Sequence, residues 1–135
     1  FPTRRSSDLI GFFPAKTDDV FNFIPARITG FLICLAAPLV RGNIACSIKV
    51  MIRDRKNHKS PNCAYPEGAA AGAMGVRLGG TNEYFGEKMY KPTIGNKIKD
   101  LGKEHILDTI KLMYGAMFYL VIICVLYEIL IYMKY

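Results

Sequence analysis

Metal-binding residue types are scarce in this chain. It has two histidines, His58 and His105, far apart in sequence, and four cysteines, Cys34, Cys46, Cys63 and Cys124, without a CxxC pair. Structural zinc sites need Cys and His in closely spaced pairs, so that class is excluded. Cys34 and Cys124 fall inside apolar runs, and all four cysteines read as reduced, small hydrophobes. The stretch GVRLGGT at 75–81 spaces its glycines as a P-loop does but lacks the phosphate-binding lysine. No strand is expected before it either, so it is not a Walker A site. The first ten residues lack an apolar core followed by small cleavage-site residues, and no signal peptide is expected there. No internal repeat is evident.

Charge is also unevenly withheld. Residues 28–40 carry none, and residues 112–133 carry only Glu128. With 51% hydrophobic and 21% charged residues, the apolar content is therefore concentrated in these two runs. The net charge of +7 does not point to nucleic acid, because the cations are not interleaved with aromatics in one stripe. Between Arg41 and Lys111 there are 13 basic and 7 acidic residues, a surplus of 6. That surplus suits a loop on the cytoplasmic side of a membrane, where Lys and Arg accumulate.

Residues 1–9, FPTRRSSDL, resemble one reading frame of a common sequencing-library adapter. They are set apart as non-native, with the natural sequence of a longer protein expected from about residue 10. Removing Arg4, Arg5 and Asp8 lowers the formal charge only from +7 to +6. Such a segment was never selected with the fold and is expected to make no defined contacts with it.

Residues 20–40 are long enough to cross a bilayer as a helix of about 1.5 Å rise per residue. Asn22, Pro25, Arg27 and Pro38 predict a kinked helix whose polar first turns face a cavity. Residues 42–59 form an amphipathic pattern, with Ile44, Ile48, Met51 and Ile52 opposite Lys49, Arg53, Arg55 and Lys56. That basic helix lies either on the membrane surface or on the rest of the protein. Asp54 and His58 are spaced as a helix-stabilising pair. After a break at Ser60, Pro61 and Asn62, Pro66 opens a helix rich in Gly and Ala, suited to close packing.

Gly79, Gly80, Asn82, Gly86, Pro92 and Gly95 mark residues 79–96 as a loop. Residues 100–111 have helical periodicity. Residues 112–133 are the clearest transmembrane helix, with Tyr114, Tyr132 and Tyr135 as interfacial anchors and Glu128 close enough to one end to snorkel. The expected fold is all-α: an integral-membrane helical fragment, residues 10–135, with a glycine-rich loop region between hydrophobic helices.

Three polar blocks exceed what membrane anchoring requires. In DDVFNFIPAR, Asp18 and Asn22 share a helix face beside Asp19, offering oxygen ligands of the kind magnesium accepts alongside substrate phosphate. Helix capping by one aspartate is the plainer reading. In RDRKNHKSPNCAYPE, Ser60 and Asn62 flank a proline, and Glu67 at a helix start can serve as base or metal ligand. In GVRLGGTNEYFGEKMYKP, the amides of Gly79 and Gly80 can form an anion nest.

Taken in order, DDVFNFIPARITG, the run RDRKNHKSPNCAYPEGAAAGAMGVRLGGTNEYFGE and KPTIG resemble the CbiB/CobD family of adenosylcobinamide-phosphate synthases. The resemblance runs from about residue 10 to the C-terminus, with Thr81 where the family commonly has Pro and Tyr65 where Trp is common. It implies the C-terminal part of a multi-pass protein of the bacterial or archaeal inner membrane, whose other helices lie upstream. It further implies ATP-dependent amide formation between adenosylcobyric acid and aminopropanol phosphate or a similar amino alcohol, with Mg2+. The roles carried onto this sequence are Asp18, Asp19 and Glu67 as catalytic residues, Asp18 and Asp19 also holding the magnesium. Arg27 and Lys91 are assigned to phosphate, and Asn62, Gly79, Gly80, Asn82 and Tyr84 to substrate. Lipid and the upstream helices are the expected partners, with no nucleic acid. The competing readings are an AmpE-like membrane signalling protein, expected to lack the intact SPN to LGGxNxYFG run, and a non-catalytic membrane scaffold.

Overall fold

The computed structural model describes residues 4–58 and 60–135, without the side chains of residues 4–12 and of Tyr84. The expectation that residues 1–9 make no defined contacts lies outside what is described.

The first half of the chain is helical. Helix α1 (Arg4–Phe21) is followed after Asn22 by α2 (Phe23–Ala36), which tightens into a 3-10 turn at Ala37–Val40. The break falls where Pro25 dictates: its ring opposes the carbonyl of Phe21, four residues earlier, and it has no N–H to donate. The kink expected within 20–40 is thus a junction between two helices, still bridged by Ala26 N–H donating to the Asn22 carbonyl at 3.0 Å. Arg41 ends the 3-10 turn in the left-handed conformation, φ 58°.

Helix α3 (Ile44–Asp54) is capped by Asn43, whose side chain accepts from Cys46 N–H. Its packing partner is α4 (Ala64–Met74). Ser47 Oγ donates to the Ala69 carbonyl at 2.6 Å across this interface. Small residues let the two backbones meet. A Cβ on Gly72 would sit 2.8 Å from Ser47 Cα and 2.9 Å from Val50 Cβ. Gly72→Val is therefore expected to force the helices apart and destabilise the protein by about 1–3 kcal/mol or more. Thermal unfolding in detergent measures this, and an unchanged midpoint would contradict the close crossing.

Residues 79–96 are not the loop expected, and the fold is not all-α. Strands β1 (Arg77–Tyr84) and β2 (Glu87–Gly95) form an antiparallel hairpin. Its two-residue turn, Phe85 and Gly86, has φ of 53° and 82°, the mirror-image geometry that suits the twist of paired strands. Pro92 is tolerated because it faces the irregularity between Leu78 and Gly80, where ladder bonding is already interrupted. The glycines and proline that suggested a loop are the bulge and turn of a hairpin.

Helix α5 (Glu104–Lys134) merges the two helical segments expected at 100–111 and 112–133. Nothing at their boundary breaks a helix, and 31 residues span about 46 Å. Its early turns join the core, where Leu112 packs with Ala36, Ala37, Val40, Met74 and Val76. Beyond Ala116 the large apolar side chains are predominantly exposed. Two stretches are long and apolar enough to cross a membrane, Phe23–Val40 and Glu104–Lys134.

Candidate functional site

Two of the three polar blocks meet where α1 passes into α2. Ser60 Oγ donates to Asp19 Oδ1 at 3.2 Å, and Asn62 Nδ2 donates to the Asp19 carbonyl at 2.8 Å. The other end of the Asn62 amide accepts from Arg27 Nη1 at 3.3 Å. Asn62 is 5% exposed, so both ends of its amide hold protein groups in place. The SPN turn thereby fixes Asp19 and Arg27 across more than thirty residues of sequence. Asp18 Oδ1 accepts from Asn22 Nδ2 at 2.8 Å, the shared helix face expected for that pair.

The Arg27 guanidinium lies 3.3 Å from the centroid of the Phe23 ring and 4.4 Å from that of Tyr65. Stacking of this kind fixes the orientation of a cation while leaving its charge undiminished. Around it, Arg55, Lys56 and His58 complete a cleft of about 350 Å³ walled by Pro61 and Tyr65. In the sequence Arg55 and Lys56 stand only as part of a basic helix face, and His58 as a helical partner for Asp54. Their convergence depends on the chain turning back after α3. The Asp54–His58 helical pair expected from spacing does not form: α3 ends at Asp54, which pairs with Arg53. His58 Nδ1 instead accepts from Ser60 N–H at 3.0 Å, and its Nε2 lies 4.0 Å from Glu67 Oε1.

Glu67 occupies the first turn of α4. It also lines a larger cavity of about 730 Å³ with Ile33, Ala70, Met74, Leu78, Lys103 and His105 among its walls. The carboxylate therefore stands between a small cationic cleft and a large, mainly apolar cavity.

The third block is placed elsewhere. Gly79, Gly80, Asn82 and Lys91 lie on the hairpin, with Gly80 opposite Lys91. Tyr84 ends β1, and its side chain is outside what is described. A Cβ on Gly79 would meet the Pro92 carbonyl oxygen at 2.3 Å, so close strand pairing accounts for that glycine. The hairpin base is tied to α3: Asp54 Oδ2 accepts from Gly95 N–H at 2.8 Å, Asn57 Nδ2 donates to the Thr93 carbonyl at 2.9 Å, and Arg53 Nη1 donates to Asn96 Oδ1 at 2.7 Å.

Asp54 titrates below the usual carboxylate range because Arg53 donates to it through two nitrogens. Burial opposes this shift and the Gly95 N–H adds to it. A folded pKa below the unfolded value of about 3.9 stabilises the protein above that value, and the contribution is lost as pH falls through the folded pKa. Acidification below about pH 4 is thus expected to loosen the hairpin base. Asp54→Asn should loosen it already at neutral pH and remove this residue's acid step. Hydrogen exchange at Gly95, corrected for its intrinsic rate, reads both effects, and identical protection in the variant would contradict them.

Asp18 and Asp19 offer hard oxygen donors, each with one oxygen engaged as above. Among the described residues no group of three His, Cys, Asp or Glu could hold a metal. The donor set fits magnesium bound through one or two carboxylates and completed by substrate phosphate, and does not fit an all-protein cage.

These features define a predominantly helical chain with two helices of membrane-crossing length and a cationic cleft beside carboxylates. The chain belongs to the CobD/Cbib protein family, which matches residues 3–113, and is thereby a protein of cobalamin biosynthesis. It is 71% identical over 114 residues to cobalamin biosynthesis protein CobD of Clostridium tetani, covering 84% of this chain and 36% of that protein. It is 62% identical over 122 residues to the CobD of Clostridium acetobutylicum, covering 87% and 39% respectively. Cobalamin biosynthesis protein CbiB of Salmonella arizonae is 47% identical over 107 residues, 79% of this chain and 34% of that protein. The chain thus spans little more than a third of the length of these curated relatives. No solved structure matches it.

Proposed function

We propose that this chain is part of an inner-membrane, multi-pass enzyme that joins an amino-alcohol phosphate to adenosylcobyric acid at the expense of ATP. The observation that carries the reading is the assembly of Asp19, Ser60, Asn62 and Arg27 into one network, with Glu67 reached through His58. Amide formation from a carboxylate and an ammonium needs an activated acyl group. The corrinoid carboxylate takes the terminal phosphoryl group of ATP, releasing ADP. The amine nitrogen then attacks the carbonyl carbon, the C–N bond forms, the C–O bond to phosphate breaks and inorganic phosphate leaves. One net proton is released from the ammonium and the amide nitrogen, and Glu67 is assigned as the base that accepts protons from that nitrogen. Bound magnesium would be held by Asp18 and Asp19 and would offset phosphate charge. Arg27 supplies a fixed positive charge, while Ser60 and Asn62 hold Asp19 and Arg27 in register. On the hairpin, Asn82, Tyr84 and Lys91, with the amides of Gly79 and Gly80, are assigned to the corrinoid and its phosphate partner.

The test is synthesis by membranes containing the full-length protein, supplied with both substrates, ATP and magnesium. Formation of adenosylcobinamide phosphate only when ATP is present supports the reading. No product, or product without ATP, overturns it.

A further inference from the structure

The cationic cleft contains more positive charge than the network beside it uses. Arg27, Arg55, Lys56 and His58 line it. Among the described residues, no carboxylate pairs with Arg27, Arg55 or Lys56: Arg53 takes Asp54, Lys97 takes Asp100 and Lys111 takes Asp108. Glu67 Oε1 lies 4.0 Å from the imidazole, and the Asp19 carboxylate nearby is held by Ser60. Three cations converging without counter-charge repel one another, and an anion in their midst reverses the sign of that interaction.

The donors are also oriented. Arg27 is held by its two aromatic neighbours and by Asn62. Arg55 donates through one nitrogen to the Ile52 carbonyl at the end of α3, which restrains its side chain. His58 accepts at Nδ1 from Ser60 N–H, which sets Nε2 as the N–H donor on the other edge of the ring. At about 350 Å³ the cleft admits a phosphate group on a short carbon chain and is too small for a corrinoid.

We infer that Arg27, Arg55, Lys56 and His58 bind a phosphomonoester dianion, that of the amino-alcohol substrate. Held there, the substrate extends its short chain toward Glu67, which stands between this cleft and the larger cavity. Charge-assisted bonds from guanidinium groups to phosphate oxygens supply both affinity and orientation. The identity of the substrate rests on the function proposed above. The phosphate site itself does not, and it can be measured without turnover.

The experiment uses the full-length protein in detergent and follows acylation of Lys56 by an amine-reactive reagent with mass spectrometry. Millimolar inorganic phosphate or glycerol phosphate, which carries no amine, is expected to slow modification of Lys56 at least fivefold. Glycerol is expected to have no effect. Arg55→Gln should remove the protection while circular dichroism stays unchanged. In the synthesis assay, Arg55→Gln and Lys56→Gln should raise KM for the amino-alcohol phosphate at least tenfold, with kcat and the KM for ATP little altered. Absence of protection by either phosphate overturns the proposal. So does protection that requires ATP, which would assign the cleft to the nucleotide. Protection seen only in vesicles of anionic lipid, and not of neutral lipid, assigns it to a headgroup and overturns it as well. Protection by phosphate in a protein that makes no amide removes the reaction and leaves the site standing.

Discussion

In the full-length protein, Asp19→Ala or Glu67→Ala is expected to lower amide synthesis by about 10²-fold or more, through loss of a magnesium-holding carboxylate in the first case and of the general base in the second. The amount of protein inserted in the membrane should not change. Asp19 is half-buried and its carboxylate accepts one side-chain bond, from Ser60, while its backbone carbonyl would still accept from Asn62 in the variant. Glu67 is likewise half-buried, with its side chain 43% exposed. As an acid in the first turn of α4 it adds at most about 1 kcal/mol through the helix dipole. Neither residue therefore holds the fold, and a large loss of synthesis must come from the reaction. Glu67→Gln sharpens the test, since it keeps the shape and removes the basicity. Its activity should fall as far as that of the alanine variant. Near-normal synthesis by both alanine variants would remove the site assignment and leave the family membership intact.

What the sequence could and could not reveal divides along the range of the interactions involved. The apolar run at 112–133, the amphipathic pattern at 42–59 and the Gly/Ala stripe of α4 are local signals, and each became a helix close to where its pattern lies, although α3 stops at Asp54. Pro25 announced a kink, and the chain breaks three residues before it. The hairpin is hidden in the sequence because glycine signals freedom locally, whereas pairing with Pro92 and the turn at Phe85 and Gly86 give these glycines fixed places. Two strands alone are marginal in water, and this pair is secured at its base by Asp54, Asn57 and the buried Ile94. No local pattern reports such an anchor. The same holds for the candidate site. Asp19, Arg27, Asn62 and Glu67 were recognisable as residue types. The bonds from Ser60 and Asn62 back to Asp19 span more than forty positions, and they exist only in the folded chain. Arg55, Lys56 and His58 read as the solvated end of a basic helix until the turn after Asp54 carried them to Arg27.

Expressed by itself in membranes and supplied with ATP, magnesium and both substrates, the 135-residue chain is expected to form no detectable amide product. The apolar cavity beside the first turns of α5 holds about 730 Å³. Sites for drug-sized ligands take roughly 300–1,000 Å³ and bury most of the ligand, and a corrinoid with its adenosyl group exceeds that class. Walls for such a substrate must come from elsewhere. From Met117 to Met133 helix α5 presents Phe118, Leu120, Val121, Ile123, Leu126 and Leu130 at the surface, far more contiguous apolar area than one helix leaves uncovered in water. Lipid can cover one side of that helix, and the other side is free for packing by any further helices of a longer protein, the relatives being almost three times as long as the matched part. Asp18 is exposed as well, and among the described residues Asn22 engages its side chain. Co-expression of the upstream part of a full-length relative should restore product if those helices complete the cavity. Turnover by the 135-residue chain alone would show that the hairpin and α5 enclose the corrinoid unaided, and would overturn the placement of the substrate between this chain and upstream helices.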